Sequence, residues 1–295
     1  MSSTPGHGST PSRAKEAIVG TGLSQRQVAK AIGIDETKLS KALSGQRRFT
    51  ADELLGLATS TGVTVRWLLG DESQVSAAPE SLAPEAQNLT DVEGLTAAEA
   101  TPRRHIVEVA WNLFSRHGYD SVRIADIAET AGVSSASVHY HFTNKSELFA
   151  ATLDYSVKLA FDRQIAWLDG IDDPKHRLER LLELQSPIGQ TAHREWSIWL
   201  QTWARLALED GGSTEYPASY ERWSRTVRST IEDGQAEGLF RRGDSAAMAD
   251  ELTSLLDGLG VKVLTGVMDP GTFRIRLQTY LTRSIIRTQP EEESQ

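Results

Sequence analysis

Apolar residues recur at three- and four-residue intervals through most of this chain, and no stretch alternates apolar with polar long enough to make a strand. The pattern predicts an all-α protein. From residue 13 to 69, short helical runs are separated by Gly22, Gly33, Gly45 and Gly62. After Pro102 the helical period resumes and lasts to about Arg287, with helices expected to begin near Pro102, Ile124, Ser134, Lys145, Lys175, Thr191, Pro217, Asp244 and Gly271. Proline at 102 and 217 suits a first helical turn, and Gly118, Gly211, Gly212, Gly238 and Gly243 suit helix ends. Between the two halves, ESQVSAAPESLAPEAQNLTDVEGLTAAEA (72–100) breaks the period with two prolines, no aromatic residue and an acidic bias. It reads as a flexible linker with a typical span of about 30 Å, so that the domains it joins need not touch. The polar ends, 1–11 and 289–295, read as disordered tails. The expected division is 12–71, linker, 101–150 and 151–288.

Two segments share one spacing. QVAKAIGIDETKL (27–39) laid over DIAETAGVSSASV (126–138) puts Val28 on Ile127, Ala29 on Ala128, Gly33 on Gly132, Ile34 on Val133 and Leu39 on Val138. A helix-turn-helix explains each match. The alanines stand where two helices cross closely, and the glycines end the first helix in a left-handed conformation. Ile34 and Val133 bury the turn, and Leu39 and Val138 anchor a second helix whose outer face can enter a DNA major groove about 12 Å wide.

The first copy continues as LSQRQVAKAIGIDETKLSKALSGQRRFTADELLGLA and resembles the Cro/repressor (XRE) type of helix-turn-helix domain, a five-helix fold, over 12–71. The resemblance implies Ser24 as a helix cap and Gln25 at a phosphate. Glu36, Thr37, Ser40 and Lys41 would lie on the outer face of the reading helix, with Arg47 and Arg48 placed for phosphates. The second copy sits in TPRRHIVEVAWNLFSRHGYDSVRIADIAETAGVSSASVHYHFTNKSELFAATL and resembles the DNA-binding domain of the TetR family of regulators. Its Gly118–Tyr119 turn, the Tyr140–Phe142 cluster, Lys145 and Leu148 carry the likeness. By position, Ser135, Ala136, Ser137 and Tyr140 should face base edges or sugars, and His139, His141 and Lys145 should reach the backbone. Arg123 and Ser134 complete the candidate DNA-contacting set. Arg123 replaces a usual threonine cap, so Ser121 is expected to cap that helix. A reader of such small residues must rely on methyl contacts and DNA shape as well as hydrogen bonds.

Charge sharpens this picture. The chain carries formal net charge −9, yet 12–50 holds eight basic residues against three acidic ones, and 71–100 holds seven acidic residues and no base. Binding follows local fields rather than the sum, so the basic segment is a candidate nucleic-acid face. The absence of cysteine excludes disulfides, zinc fingers and thiolate catalysis. His139 and His141 lie about 200° apart around a helix and cannot share a metal. No apolar run reaches the ~18 residues of a membrane span, and the N-terminus lacks a signal-peptide core. A cytoplasmic protein is expected, without cofactor or metal.

The half beyond residue 151 carries no catalytic signature such as G-x-S-x-G, H-E-x-x-H or a P-loop. In EWSIWLQTWARLALE, Trp196, Trp199 and Trp203 repeat at helical spacing, either as a core stripe or as a wall of an apolar ligand pocket. YERWSRTVRSTIEDGQAEGLFR and ADELTSLLDGLGVKVLTG resemble the BetI-like regulatory domain of the TetR family. That resemblance implies a four-helix dimer interface, for which Leu252, Leu255, Leu256, Leu259 and Val263 are candidates. The expected protein is a homodimeric, ligand-responsive transcriptional regulator, rather than an enzyme. Repression is favoured, and its partners are a palindromic double-stranded DNA operator and a small-molecule effector. The alternative is a bridging or architectural regulator whose N-terminal domain takes a second DNA site or a protein.

Overall fold

The computed structural model describes residues 9–70, 97–208 and 215–287. Every regular element among them is helical, and the chain divides into two compact units, Met1–Trp167 and Leu168–Gln295. Residues 1–8 of the tail expected at 1–11, the tail expected at 289–295 and nearly all of the expected linker lie outside the described residues.

The first unit begins with a five-helix module: α1 (Thr10–Thr21), α2 (Gln25–Ala31), α3 (Glu36–Leu43), α4 (Ala51–Thr61) and α5 (Val65–Leu69). Its boundaries are chemical. Pro11 stands in the first turn of α1, which takes residues 10 and 11 out of the expected tail. Ser24 and Thr50 close capping boxes with Gln27 and Glu53, and Asp35 and Thr64 cap α3 and α5. Leu39, Leu57, Val65 and Leu68 are fully buried at the centre.

Four longer-range helices complete this unit: α6 (Ala97–His117), α7 (Ile124–Ala131), α8 (Ser135–His141) and α9 (Lys145–Leu168). Pro102 lies inside α6, which starts earlier, at Ala97, than the proline suggested. Phe114, Ile127, Val138, Phe142 and Leu148 form the interior that holds α7 and α8 against α6 and α9. The five-helix module is not separate from this part. Its core runs on to Ala166, with Ile165 and Trp167 packed beside it, so the two parts share apolar packing where linker length alone left contact optional.

The second unit holds α10 (Pro174–Gln185), α11 (Gln190–Leu206), α12 (Glu215–Ala236), α13 (Ser245–Leu264) and α14 (Pro270–Tyr280), followed by a π-helical turn, Leu281–Ile285. α12 packs on both α10 and α13, and α14 packs on α13. Leu181, Ile198, Val227, Ile231, Leu252 and Phe273 are fully buried between them. The chain end is pinned by an antiparallel bridge between Phe240 and Ile286, with Arg241 donating to the Ile285 carbonyl at 2.8 Å.

Candidate DNA-binding and ligand-binding sites

The two sequence copies fold alike. Gly33 and Gly132 adopt φ of 73° and 67°, and the amides that follow, Ile34 and Val133, each donate to the carbonyl of the buried alanine at 3.0 Å. Ala29 and Ala128 are nearly inaccessible, while Leu39 and Val138 are completely so. The second helix of each copy is capped by its own side chain: Asp35 accepts from the Lys38 amide at 2.7 Å, and Ser134 from the Ser137 amide at 3.1 Å. Each copy therefore holds a short helix by one apolar anchor and one cap, with its other faces outward.

On α8, Ser135, Ala136, His139 and Tyr140 are exposed, and Ser137 and His141 half-buried. Tyr140 is 70% exposed, an unusual position for a large aromatic ring on a folded domain. Its edge meets the His141 ring at 5.0 Å between centroids. Phe142 closes the helix from inside, covered by the Arg103 guanidinium at 4.8 Å. Ser134 spends its hydroxyl on the cap. The start of α7 departs from the expected cap at Ser121: Arg123 is the capping position, and Asp126 reaches back to accept its backbone N–H at 2.8 Å. The Arg123 side chain is exposed.

Lys145 has work inside the domain. Its ammonium donates to the carbonyls of Tyr119 and Val122 at 2.8 and 3.0 Å and sits 4.2 Å from the Tyr119 ring centre. It ties the Gly118–Tyr119 turn to the start of α9, and a phosphate would have to compete with those bonds. Arg47, in the first copy, is similar. It donates to both oxygens of Glu53 at 2.7 and 2.9 Å and to the carbonyls of Lys38 and Arg48 at 3.0 Å each. Burial works to raise the Glu53 carboxyl pKa, but the hydrogen bonds from Arg47 and Thr50 win and hold it below its ordinary value. Arg47 is thus a clamp between α3 and α4, whereas Gln25, Glu36, Thr37, Ser40, Lys41 and Arg48 are exposed.

In the second unit the three tryptophans of α11 form one cluster. Trp203 lies 6.3 Å from both Trp196 and Trp199, nearly perpendicular to the first. Trp196 is buried, donates its indole N–H to the Gln185 carbonyl at 2.8 Å and packs its six-membered ring against Gly260 of α13. A Cβ at residue 260 would clash with atoms of that ring, which favours glycine there. Trp199 and Trp203 keep half-exposed faces.

One turn before Gly260 stands Asp257, which the sequence pattern hid within an apolar helix. It accepts a hydrogen bond from the Tyr220 hydroxyl of α12 at 2.7 Å. Burial raises its carboxyl pKa to about 6 against the pull of that hydrogen bond. A partly desolvated carboxylate one helical turn from an aromatic cluster suits a cation with little need for hydrogen bonds. The signal that could have exposed it is an acid flanked by leucines and glycines in LLDGLG.

The apolar face expected for a dimer is largely consumed within the protomer. Leu252, Leu256 and Leu259 are buried in its own core. Leu255 and Val263 retain partial exposure. Beside them Gly258 is exposed with open space where a Cβ would go, and Ile275 of α14 is 68% exposed. Among the described residues, no group of His, Asp and Glu could hold a metal ion, and no helix is long and apolar enough to cross a membrane.

Two helix-turn-helix units on one chain, joined to a helical C-terminal unit, have the architecture of a DNA-binding transcriptional regulator. Comparison with known proteins gives its kind. Residues 106–152 match the family model of bacterial regulatory proteins, tetR family, 174–286 that of the BetI-type transcriptional repressor, C-terminal, and 15–68 a helix-turn-helix model. An HTH-type transcriptional repressor of Streptomyces coelicolor is 30% identical over 189 residues, covering 60% of this chain and 90% of that protein. The HTH-type transcriptional regulator BetI of Rhizobium meliloti is 26% identical over 164 residues, 56% of this chain and 78% of the relative. A crystal structure of a transcriptional regulator from Saccharomonospora viridis in complex with choline is 42% identical, with a TM-score of 0.61 over 64% of this chain and 100% of that one. The chain belongs to the TetR family, with a BetI-type C-terminal domain and an additional N-terminal Cro-type helix-turn-helix domain.

Proposed function

We propose that this regulator is a homodimeric repressor that reads a palindromic operator with α8 and releases it on binding a quaternary ammonium cation between α11, α12 and α13. The observation that carries the ligand class is the Tyr220–Asp257 pair one helical turn from Gly260, on which Trp196 lies. Indole and phenol faces attract a cation through their π-electrons, and a desolvated carboxylate adds charge without requiring a donor on the ligand. The choline bound by the Saccharomonospora regulator belongs to this chemical class.

For DNA, the exposed Tyr140 and the small side chains of Ser135, Ala136 and Ser137 let the backbone of α8 approach base edges closely. A dimer through the outer faces of α13 and α14 fits the open Gly258, Leu255 and Val263, and its twofold axis would match half-sites about 34 Å apart. The ligand acts by favouring a conformation with lower operator affinity. The Cro-type reader adds contacts through Thr37, Ser40 and Lys41.

The test is fluorescence anisotropy of labelled DNA from upstream of this protein's own gene, titrated with the full chain with and without choline. Choline should weaken binding several-fold, while ethanolamine, small enough to enter but able to keep its water, should act more weakly. Binding unchanged by saturating choline refutes the ligand class.

A further inference from the structure

The Cro-type module is gripped at one turn. The loop between α4 and α5 passes over α6 and α9, and three of their side chains hold it. The Asp162 carboxylate accepts the Val65 backbone N–H at 2.8 Å, and the Lys158 ammonium donates to the Val63 carbonyl at 2.9 Å. Lys158 and Asp162 also pair with each other at 2.6 Å, one turn apart on α9, both buried. The Arg104 guanidinium lies against Gly62, where any side chain would strike it, and it reaches toward the Ser60 carbonyl at 3.4 Å. Gly62 has φ of 84°, a left-handed conformation that disfavours a Cβ, and a side chain there would also push the Arg104 guanidinium out of its place. The Arg66 guanidinium covers the Phe161 ring at 5.4 Å, and Ala166 joins the module's apolar core.

Each of these contacts is modest alone. Covalent connection changes the balance: one chain carries both parts, and an intramolecular contact needs an intrinsic Kd below only ~1 mM to be mostly closed. The geometry also leaves both readers available. Docking uses the α4–α5 turn and α5, while Thr37, Ser40 and Lys41 of α3 and His139 and Tyr140 of α8 stay exposed.

We infer that the Cro-type and TetR-type readers form one composite head that recognises a bipartite half-site of fixed internal spacing. This inference rests on the reading that both helices bind DNA, and extends it. A tethered module would tolerate altered spacing between its subsite and its neighbour's. A docked one cannot, because five added base pairs turn its subsite to the opposite side of the duplex and ten displace it by about 34 Å.

The experiment uses the full chain and duplexes it selects from a random-sequence library. Footprints of the wild type and of T37A/K41A, whose substituted side chains are both exposed, locate the subsite of the Cro-type reader. Insertions of 5 and of 10 base pairs between the two subsites are then measured by anisotropy. Each insertion should lower wild-type affinity on the order of tenfold, to the level of T37A/K41A on the uninterrupted site. K158A/D162A, which removes both charges of the latch together, should bind all three spacings nearly alike. The wild-type series decides the matter even if that variant misfolds. Wild-type affinity insensitive to both insertions would overturn the composite head, as would an identical footprint from T37A/K41A. Tyr140→Ala keeps the two claims apart: loss of all protection on that substitution upholds DNA reading by α8 whatever the spacing series shows.

Discussion

Asp257→Asn removes a charge from the proposed cation site while leaving an oxygen to which Tyr220 can still donate. A carboxylate and a fixed positive charge about 4 Å apart attract by ~4 kcal/mol at an effective dielectric constant near 20. Desolvation of ligand and site returns part of that, so the net loss should be ~1.4–2.8 kcal/mol, or about 10- to 100-fold in choline affinity. Protonation offers the same perturbation without a mutation. Burial raises the Asp257 pKa to about 6, against the hydrogen bond from Tyr220. The carboxylate is then nearly fully ionised at pH 7.5 and about one-tenth ionised at pH 5. Choline carries a charge that does not titrate, so its wild-type affinity should fall about tenfold between those pH values and stay nearly flat in Asp257→Asn. Folding stability responds with the opposite sense. A carboxyl whose folded pKa is raised contributes stability that is full below its unfolded value and is lost as pH rises through about 6. Isothermal titration calorimetry of wild type and variant at the two pH values measures the binding effect. Equal choline affinities for the two proteins, with equal pH profiles, would refute the role of Asp257.

Other consequences follow from the same geometry. Tyr140→Ala should lower operator affinity at least tenfold with an unchanged thermal midpoint, because the ring is 70% exposed and supports little of the fold; a matched loss of stability would contradict this. Arg47→Ala should destabilise the N-terminal module by about 2 kcal/mol, read as lost amide protection in α3 and α4, since it strands the buried Glu53. Its DNA-binding salt slope should barely move, whereas a phosphate contact would lower it by about one. Gly260→Ala should cost ~1–3 kcal/mol in thermal stability because Trp196 is held by its own hydrogen bond and cannot retreat, outweighing a helix-propensity gain of about 1 kcal/mol. Gly258→Ala meets open space, so it should stabilise the protomer slightly while weakening the dimer in sedimentation equilibrium.

Local rules made much of the molecule legible. The repeated spacing of small, glycine and apolar positions located both helix-turn-helix units, because each position is set by one close contact or one left-handed turn. The cap at Ser24 followed the same logic. Side chains that join distant segments were not legible. Resemblance assigns Arg47 and Lys145 to the DNA backbone; only the fold shows Glu53, Tyr119 and Val122 within their reach. The leucine pattern of α13 announced a helix buried on more than one side, but periodicity does not say whether the cover comes from α11 and α12 or from another copy. Asp257 needed Tyr220, 37 residues away, to become intelligible. Docking of the Cro-type module was hidden for the same reason, since Val65 and Asp162 are 97 residues apart.

Thermodynamic linkage between the two sites tests the central claim most directly. If choline and operator favour different conformations of one protein, operator should weaken choline binding by the same factor by which choline weakens operator binding. Calorimetric titration of choline into the free chain and into the saturated chain–operator complex, beside anisotropy with and without choline, gives both factors. The account predicts that they agree and lie between about 5- and 150-fold. A choline affinity that operator leaves unchanged would contradict it.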